Sequence, residues 1–308
     1  MYFYKAYGLK ISSEIELPEL SDHKSAGDTI DLEIRLGKIE TPKLNKTMIH
    51  RRGIRASFAQ GADDHLFLFW KDVASFEAIG GNVLRIHALT EDPSLLSLFT
   101  VSEALGLILY QRGFFLLHAS AVQIGDEAWC FMGSPGAGKS TTAAAFLKAG
   151  CRLLSDDLTA ISFDESGKAY IIPAYPQVKI WDNAVNGLNY EKTTLTPVSE
   201  GINKFSFQPK DNFSHKPVPL GQIFFMYKAM NRPKLRELTA SDIPIKMLRN
   251  FPLPLRLLTD DSLKKHFLQS FQCSKFTKIW GKRRPDGFVN LQRWVDESLI
   301  LNTVDSHA

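Results

Sequence analysis

A glycine-rich stretch near the middle of the chain limits its fold more than any other feature. It is Gly133-Ser134-Pro135-Gly136-Ala137-Gly138-Lys139-Ser140, followed by Thr141. The apolar run from Ala128 to Met132 precedes it and predicts a buried strand, and a helix-forming segment from Thr141 to Lys148 follows it. A strand, a glycine-rich loop and a helix in this order are typical of a phosphate-binding loop. We therefore predict that residues 133–141 bind a nucleoside triphosphate.

The chemistry of such a loop explains its residue types. Glycines let successive backbone N–H groups turn inward, and the helix N-terminus adds a partial positive charge. The lysine of such a loop, here Lys139, reaches the β- and γ-phosphates, and the hydroxyl of Ser140 ligates Mg²⁺. ATP and Mg²⁺ are therefore the expected cofactors. A glycine-rich turn without a ligand is the alternative, and the flanking strand and helix disfavour it.

Composition narrows the class of protein. The 308 residues are enough for two domains, and 44% hydrophobic with 23% charged residues is ordinary for a soluble globular protein. A net charge of +4 does not predict a nucleic-acid partner, and we interpret Lys282-Arg283-Arg284 as a solvated loop. The N-terminus lacks the apolar run of a signal peptide, and no segment is expected to be long enough to span a bilayer. We expect a cytoplasmic protein with no membrane partner, and a homo-oligomer is compatible with the sequence.

The N-terminal part, residues 1–92, predicts a smaller β-rich region. It contains short alternating runs, such as Leu32–Leu36 and His65–Trp70, separated by turn signals such as Ala26-Gly27-Asp28. Asp92-Pro93-Ser94 then predicts the start of a long helix, which ends at Gly113.

Residues 93–308 predict an α/β core, with a mixed β-sheet flanked by helices and a helical C-terminal part. The segment 174–220 is polar and weakly periodic, which favours strands joined by long loops. The C-terminal helices are expected at about 241–250, 259–272 and 288–302.

His118 is the first candidate residue outside the loop. Phe115 to Ile124 predicts a strand, and Gly125-Asp126 predicts a two-residue hairpin turn. Pairing Ile124 with Glu127 and continuing along the ladder places His118 opposite Gly133, at the mouth of the loop. A structural histidine at the end of a strand is the alternative, because hairpin registers slip easily.

Asp156 and Asp157 are the next candidates. They directly follow the strand Arg152-Leu153-Leu154, which returns from the helix of the loop, so its C-terminal end is expected beside the loop. One carboxylate there can hold Mg²⁺, and the other can accept a proton from an incoming hydroxyl. Adjacent residues on a strand point to opposite faces, so both can act only if the chain bends after the strand. An ordinary Asp-rich turn is the alternative.

The sequence disfavours conventional ATPases, GTPases and ABC proteins, because their motifs are not evident. We find no run of four apolar residues ending in Asp-Glu, no Asn-Lys-x-Asp guanine reader and no Leu-Ser-Gly-Gly-Gln signature.

His118-Ala119-Ser120, the loop Gly133–Thr141 and the pair Asp156-Asp157 together resemble the HPr kinase family, bacterial kinases of the phosphoenolpyruvate-carboxykinase-like class. The chain looks most similar to the small members encoded with ribosomally made peptides, including lasso-peptide tailoring kinases. Those enzymes phosphorylate a serine of the precursor peptide, characteristically at its C-terminus. The clear match covers roughly residues 115–173. The resemblance implies a core of HPr kinase type that transfers the γ-phosphoryl group of ATP, with Mg²⁺, to a serine hydroxyl of a peptide or protein.

The resemblance also implies roles for individual residues. Lys139 would contact the β- and γ-phosphates and Ser140 would ligate Mg²⁺. Asp156 would be the general base toward the acceptor hydroxyl, and Asp157 the metal or hydrogen-bonding partner, with the order of the two left open. His118 would lie close to both carboxylates and to the phosphoryl group.

Two departures from the family pattern bear on the substrate. Enzymes of the family that also catalyse the reverse, phosphorolytic reaction have an acidic residue after the loop serine, where this chain has Thr141. Their downstream Glu-x-Arg-Gly-Leu-Gly signature is missing as well. Both departures argue against HPr as the substrate and leave forward transfer intact. An HPr-type kinase, a small-molecule kinase and a non-catalytic, ATP-binding regulatory module stay as alternatives.

Substrate-binding candidates are weaker. Lys179 and Lys204 are basic residues in the loop-rich segment and could meet an anionic group of a substrate, although solvated lysines are more common there. Arg249 and Arg256 are equally consistent with ion pairs between domains. Trp181 and Tyr190 are expected to serve packing.

Overall fold

The computed structural model describes residues 1–23, 29–198, 203–228, 231 and 233–305, with residues 303–305 described by their backbone alone. The turn predicted at Ala26-Gly27-Asp28 lies outside these residues.

The N-terminal region forms a nine-stranded sheet. Its strands are β1 (Tyr2–Ala6), β2 (Leu9–Ser13), β3 (Ser21–Asp22), β4 (Leu32–Leu36), β5 (Asn45–Arg51), β6 (Ile54–Gln60), β7 (Leu66–Trp70), β8 (Ala74–Ile79) and β9 (Val83–Ala88). They are arranged in the order β3-β1-β2-β4-β9-β8-β7-β6-β5. The two predicted runs are confirmed as β4, which alternates apolar with charged residues, and β7, which is rich in the aromatic residues that favour strands.

A helical stretch follows, with α1 (Pro93–Phe99) and α2 (Leu105–Gln111) separated by a π-helical turn at Thr100–Ala104. The predicted start is confirmed, because the Asp92 carboxylate accepts hydrogen bonds from the backbone N–H groups of Ser94 and Leu95 at 2.9 and 3.1 Å. The predicted end at Gly113 is also confirmed, with a positive φ of 82° at that glycine.

This helical stretch corrects one expectation. Pro93–Gln111 has 19 residues and a mean hydropathy of 1.5 in its most apolar window, so it reaches the length and composition of a membrane span. However, 72% of that window is buried inside the protein. Its apolar side chains pack against the N-terminal sheet, as in a core helix.

The rest of the chain combines strands and helices. In chain order these are β10 (Phe115–Leu117), β11 (Ala119–Ile124), β12 (Glu127–Met132), α3 (Lys139–Lys148), β13 (Arg152–Ser155), β14 (Thr159–Phe163), β15 (Ala169–Ile172), β16 (Val178–Trp181), α4 (Asp182–Gly187), β17 (Thr196–Pro197), β18 (Lys204–Phe207), β19 (Val218–Tyr227), β20 (Leu235–Glu237), α5 (Ile243–Arg249), α6 (Asp260–Phe276), β21 (Lys278–Arg283) and α7 (Gly287–Asp305). Helices α5, α6 and α7 confirm the predicted C-terminal helices, with ends displaced by a few residues.

A second nine-stranded sheet forms the centre of this part. Its order is β10-β14-β15-β19-β12-β11-β13, and β21 pairs with β19 and β20. The sheet is mixed, because β12 and β21 run parallel to β19 while the other pairs are antiparallel. Strands β16, β17 and β18 form a small separate sheet.

Helices cover both faces of the second sheet. On one face, an aromatic cluster joins Phe146 of α3 and Trp294 of α7 to Phe131 and Phe224 of the sheet, with ring centroids 5.5–6.0 Å apart. On the other face, buried residues of α5 and α6 pack against β12 and β19. The fold is therefore a mixed α/β structure, as the sequence predicts. The predicted domain boundary at residue 92 stays a prediction.

Candidate active site

A cavity of about 800 Å³ opens beside the glycine-rich loop. Its walls come from the loop, from the ends of β13 and β16, from β18 and from the tip of the β5–β6 hairpin in the N-terminal sheet. Of the residues considered from the sequence as candidates for the site, those that line the cavity are His118, Pro135, Gly136, Gly138, Lys139, Ser140, Thr141, Asp157, Lys179, Trp181 and Lys204. Its volume is in the range of cofactor and small-molecule sites.

The loop has the backbone geometry that its glycines permit. Gly133, Gly136 and Gly138 have φ values of 145°, 74° and 99°. At Gly133 a Cβ atom would collide with the backbone oxygen of Met226, so only glycine fits there. Lys139, the first residue of α3, folds back over the loop and donates from Nζ to the backbone oxygen of Gly133 at 3.0 Å.

Asp156 is buried behind the loop. One of its oxygens accepts hydrogen bonds from the hydroxyls of Ser120 and Ser140, at 2.5 and 2.9 Å. The other oxygen accepts from the backbone N–H of Lys179 at 2.9 Å. Burial raises the pKa of Asp156, and the neighbouring charge of Asp157 adds to the effect. Among the described residues, Asp156 is thus the carboxylate that contacts the serine of the loop.

Asp157 points into the cavity instead. Its backbone is left-handed, with φ 67°, so the chain bends directly after β13, as the use of both carboxylates requires. Its side chain is 26% exposed and lies 3.5 Å from Nζ of Lys179. Burial alone would raise the pKa of Asp157, but the charges of Lys179, Lys204 and Arg51 outweigh it and hold the pKa well below its usual range. This carboxylate is therefore ionised and faces the cavity.

His118 lies where two strands meet. The hairpin register is confirmed from Ile124–Glu127 to Ala119–Met132, so the next position along the ladder is His118 beside Gly133. The prediction of one continuous strand over Phe115–Ile124 is wrong, because β10 pairs with β14 while β11 pairs with β12 and β13. The break at His118 turns its imidazole toward Asp157.

The hydrogen bonds of His118 define its tautomer. Its Nδ1 lies 2.9 Å from the backbone oxygen of Asp157, and because a carbonyl can only accept, Nδ1 carries the proton. Burial lowers the pKa of His118, and the charge of Lys139 lowers it further. The ring is neutral near pH 7, with Nε2 able to accept a hydrogen bond.

Asn250 ties His118 to the loop and was not found from the sequence. Its backbone oxygen accepts from the N–H of His118 at 2.6 Å, and its side-chain oxygen accepts from the N–H of Gly133 at 3.1 Å. An asparagine after a helix carries no signal for such a contact.

Several cations of the cavity were also missed or misinterpreted. Arg51 and Arg52 reach it from the β5–β6 hairpin, and Lys228 and Arg284 lie beside the loop. The interpretation of Lys282-Arg283-Arg284 as a solvated loop is wrong, because Lys282 belongs to β21 and lies 4.3 Å from the centroid of the Trp294 ring. Arg284 donates to the backbone oxygen of Gly136 at 3.4 Å.

The weaker substrate candidates separate into two groups. Lys179 and Lys204 line the cavity, and Lys179 is only 5% exposed, so its interpretation as a solvated surface lysine is wrong. The expectation that Trp181 serves packing is wrong, because its side chain is 52% exposed at the cavity rim. Nζ of Lys204 lies 5.5 Å from the centroid of its ring.

Tyr190 does serve packing, since its ring contacts Phe207 and its hydroxyl donates to the backbone oxygen of Ala144. Arg249 and Arg256 do not line this cavity.

The donors fit a hard divalent cation bound together with phosphates. The Ser140 hydroxyl and the carboxylates of Asp156 and Asp157 are oxygen donors on one side of the loop. Within the described ranges, no group of three or more His, Cys, Asp or Glu side chains could hold a metal alone. Mg²⁺ commonly takes one or two carboxylates and completes its shell with water and substrate phosphates, so this set is sufficient for it.

Comparisons with known proteins give a distant likeness. No family model matches the chain, and no curated protein matches it. Among solved structures, the chain is similar to that of the Hpr(Ser) kinase/phosphatase from Coxiella burnetii. The sequence identity is 18%, and the match covers 50% of this chain and 97% of that one. The TM-score is 0.27. A likeness this distant leaves the family of the chain open.

Proposed function

We propose that this protein is a kinase that transfers the γ-phosphoryl group of ATP to a hydroxyl group. The observation that carries the proposal is the placement of two adjacent carboxylates beside one glycine-rich loop. Asp156 accepts a hydrogen bond from Ser140 of the loop, while Asp157 faces the cavity next to Lys139 and His118. A nucleotide-binding loop needs the first carboxylate for its cation, whereas the second suits a group that receives a proton.

The loop residues would bind the triphosphate. The N–H groups of residues 133–140 and the ammonium of Lys139 would contact its phosphate oxygens. Ser140 and Asp156 would hold Mg²⁺, which neutralises phosphate charge when it is bound. Lys139 now donates to Gly133, and a β- or γ-phosphate oxygen would replace that carbonyl as its partner.

The geometry favours an order of roles for the aspartates opposite to the one suggested by the resemblance. All the described hydrogen bonds of the Asp156 carboxylate come from Ser120, Ser140 and the Lys179 backbone. They hold this carboxylate in place beside Ser140 of the loop. The Asp157 carboxylate is partly exposed to the cavity, where the acceptor hydroxyl would reach it. We therefore assign the base to Asp157 and the cation side to Asp156.

The proposed reaction is a single displacement. The acceptor oxygen forms a bond to the γ-phosphorus as the bond between that phosphorus and the bridging oxygen breaks, so ADP leaves. The hydroxyl proton passes to the carboxylate of Asp157. His118 would hold the bend at Asp157 through its Nδ1–H bond to the backbone oxygen of that residue. The transition state asks little of the nucleophile, so positioning contributes much of the rate.

For the acceptor we propose the serine hydroxyl of a peptide or protein. A serine at the C-terminus of a ribosomally made precursor is the form that the resemblance suggests. A cavity of about 800 Å³ that opens between two parts of the chain has room for a triphosphate and the end of a peptide. The cytoplasm, where ATP is available, is the proposed location.

The test is transfer of labelled phosphate from ATP to a peptide ending in serine, followed by mass spectrometry. We expect a gain of one phosphoryl group with the wild type. Lys139→Ala should reduce turnover about 10³-fold, because the charge on the transferred group loses its main partner in the loop. Lys148→Ala, at the far end of the same helix, is the matched control. Tight ATP binding without transfer to any acceptor would favour the regulatory module instead.

A further inference from the structure

The β5–β6 hairpin of the N-terminal sheet projects into the cavity. Arg51 pairs with Ile54, which leaves Arg52 and Gly53 as a two-residue turn, with φ values of 52° and 75°. Two consecutive positive φ values give the tight turn whose twist matches that of the strands. The last residue of β5, Arg51, is therefore held at a fixed place on the cavity wall.

A carboxylate on another element fixes the guanidinium of Arg51. Its Nε donates to Oε2 of Glu103 at 3.1 Å, and its NH2 nitrogen donates to Oε1 at 3.1 Å. The two side chains are 13% and 12% exposed. Such a two-point contact orients the plane of the guanidinium as well as its position.

Glu103 occupies an unusual position for a structural ion pair. It lies in the π-helical turn at Thr100–Ala104, where Ser102 departs from helical geometry with φ −92° and ψ −114°. Such turns interrupt the helical ladder and occur frequently at functional sites. A buried ion pair is also weak evidence for stability, because removing two charges from water costs about as much as their attraction returns.

Arg51 lines the same cavity as the glycine-rich loop and Asp157. Lys139, His118 and Asp157 line the cavity from the part of the chain that contains the loop, and Arg51 reaches the same cavity from the N-terminal sheet. A phosphoryl group in this cavity would thus meet cations from two parts of the chain.

We infer that Arg51 is a catalytic residue that contacts the phosphoryl group during transfer, and that Glu103 is the residue that positions it. The inference rests on the proposed function and adds a residue to it. In a loose transition state, charge is spread over three oxygens, and a planar guanidinium can contact two of them. The N-terminal sheet then supplies part of the active site.

The experiment compares the wild type with the double variant Arg51→Met, Glu103→Gln, which leaves neither charge of the pair without its partner. We measure thermal unfolding, ADP affinity, kcat, and the affinity of the ADP–Mg²⁺ complex for aluminium fluoride, which mimics the transferred group. The double variant should fold and bind ADP within about 3-fold of the wild type, yet lose about 10²-fold in kcat and most of its aluminium fluoride affinity. Arg55→Gln, on the same hairpin but outside the cavity lining, is the matched control and should be unchanged.

The outcomes are distinct. If the double variant keeps kcat and aluminium fluoride affinity within about 3-fold, Arg51 is structural and the inference is overturned. If the wild type itself transfers no phosphoryl group, the proposed function fails and the inference falls with it. If the double variant does not fold, Arg51→Lys is measured instead, because it keeps the charge but lacks the planar guanidinium with its paired N–H donors. A loss of at least about 10-fold in kcat with unchanged ADP affinity then supports the inference, and an unchanged kcat overturns it.

Discussion

The two walls of the cavity are built in different ways. The loop wall, residues 133–140, is one continuous segment that presents backbone groups held by glycines with positive φ. The charged wall consists of the side chains of Arg51, Asp157, Lys179 and Lys204, which come from four separate parts of the chain. The loop wall depends on backbone geometry, whereas the charged wall depends on a balance of burial and charge. Substitutions in the two walls should therefore fail in different ways.

The two adjacent aspartates should separate most clearly, because Asp157 belongs to the charged wall while Asp156 contacts Ser140 of the loop wall. Asp157→Asn keeps the shape but removes the proton acceptor, so kcat should fall about 10²-fold with nucleotide affinity within about 2-fold. Asp156→Asn should instead weaken Mg²⁺-dependent ATP binding about 10-fold, because the orientation of Ser140 depends on it. Steady-state kinetics and calorimetry with and without Mg²⁺ measure both. The reverse pattern would exchange the two roles.

The glycines of the loop wall should respond through folding. Gly133→Ala places a Cβ against the backbone oxygen of Met226, so the free energy of unfolding should fall by about 3 kcal/mol. Gly150→Ala is the matched control, because Gly150 has φ 91° but no atom within 4 Å of the point that a Cβ would occupy, and it should cost only about 1 kcal/mol for its strained backbone. Denaturant unfolding compares them. Equal losses would mean that the close approach to Met226 is not what requires glycine.

The smallest expected effect concerns the joint between the walls, where Asn250 bonds both His118 and Gly133. His266 packs against Phe115 and against Phe251, the residue after Asn250, with ring centroids 4.9 and 5.5 Å away. Burial lowers the pKa of His266 to about 4 from 6.5. The unfolded chain therefore binds a proton that the folded chain does not as pH falls through this window, and stability should fall by about 2 kcal/mol between pH 7 and pH 5.

The measurement is the pH dependence of denaturant unfolding for the wild type and for His266→Met. The variant should lose that part of the slope. If both proteins show the same slope, other groups are responsible for the acid sensitivity.

The loop wall could be predicted from the sequence because its information is local. Strand, loop and helix are adjacent in the chain, and the Gly125-Asp126 turn fixes the register that brings His118 beside Gly133. The same holds for the helix start at Asp92, where the cap and its two partners are close neighbours in the chain.

The charged wall could not be predicted, because its members meet only in the folded chain. Arg51 lies far from Asp157 in the sequence, and nothing in the hairpin sequence indicates which residue its last position faces. The proposed order of roles for the aspartates rests on the bend at Asp157, where φ is 67°, and on the hydrogen bond from Ser140 to Asp156. Aspartate adopts a left-handed backbone conformation more readily than most residues, so the sequence does not indicate which of the two aspartates does so.

The π-helical turn at Thr100–Ala104 has a consequence for how this protein can vary. Each residue of a helix turns the chain by about 100°, so the extra residue sets the orientation of everything after it. A version shortened by one residue here would regain an unbroken helix, but Glu103 and the apolar stripe Leu105–Leu109 could no longer both keep their present neighbours. The number of residues in this turn and the presence of Glu103 are thus expected to change together, in natural relatives and in redesigned chains alike.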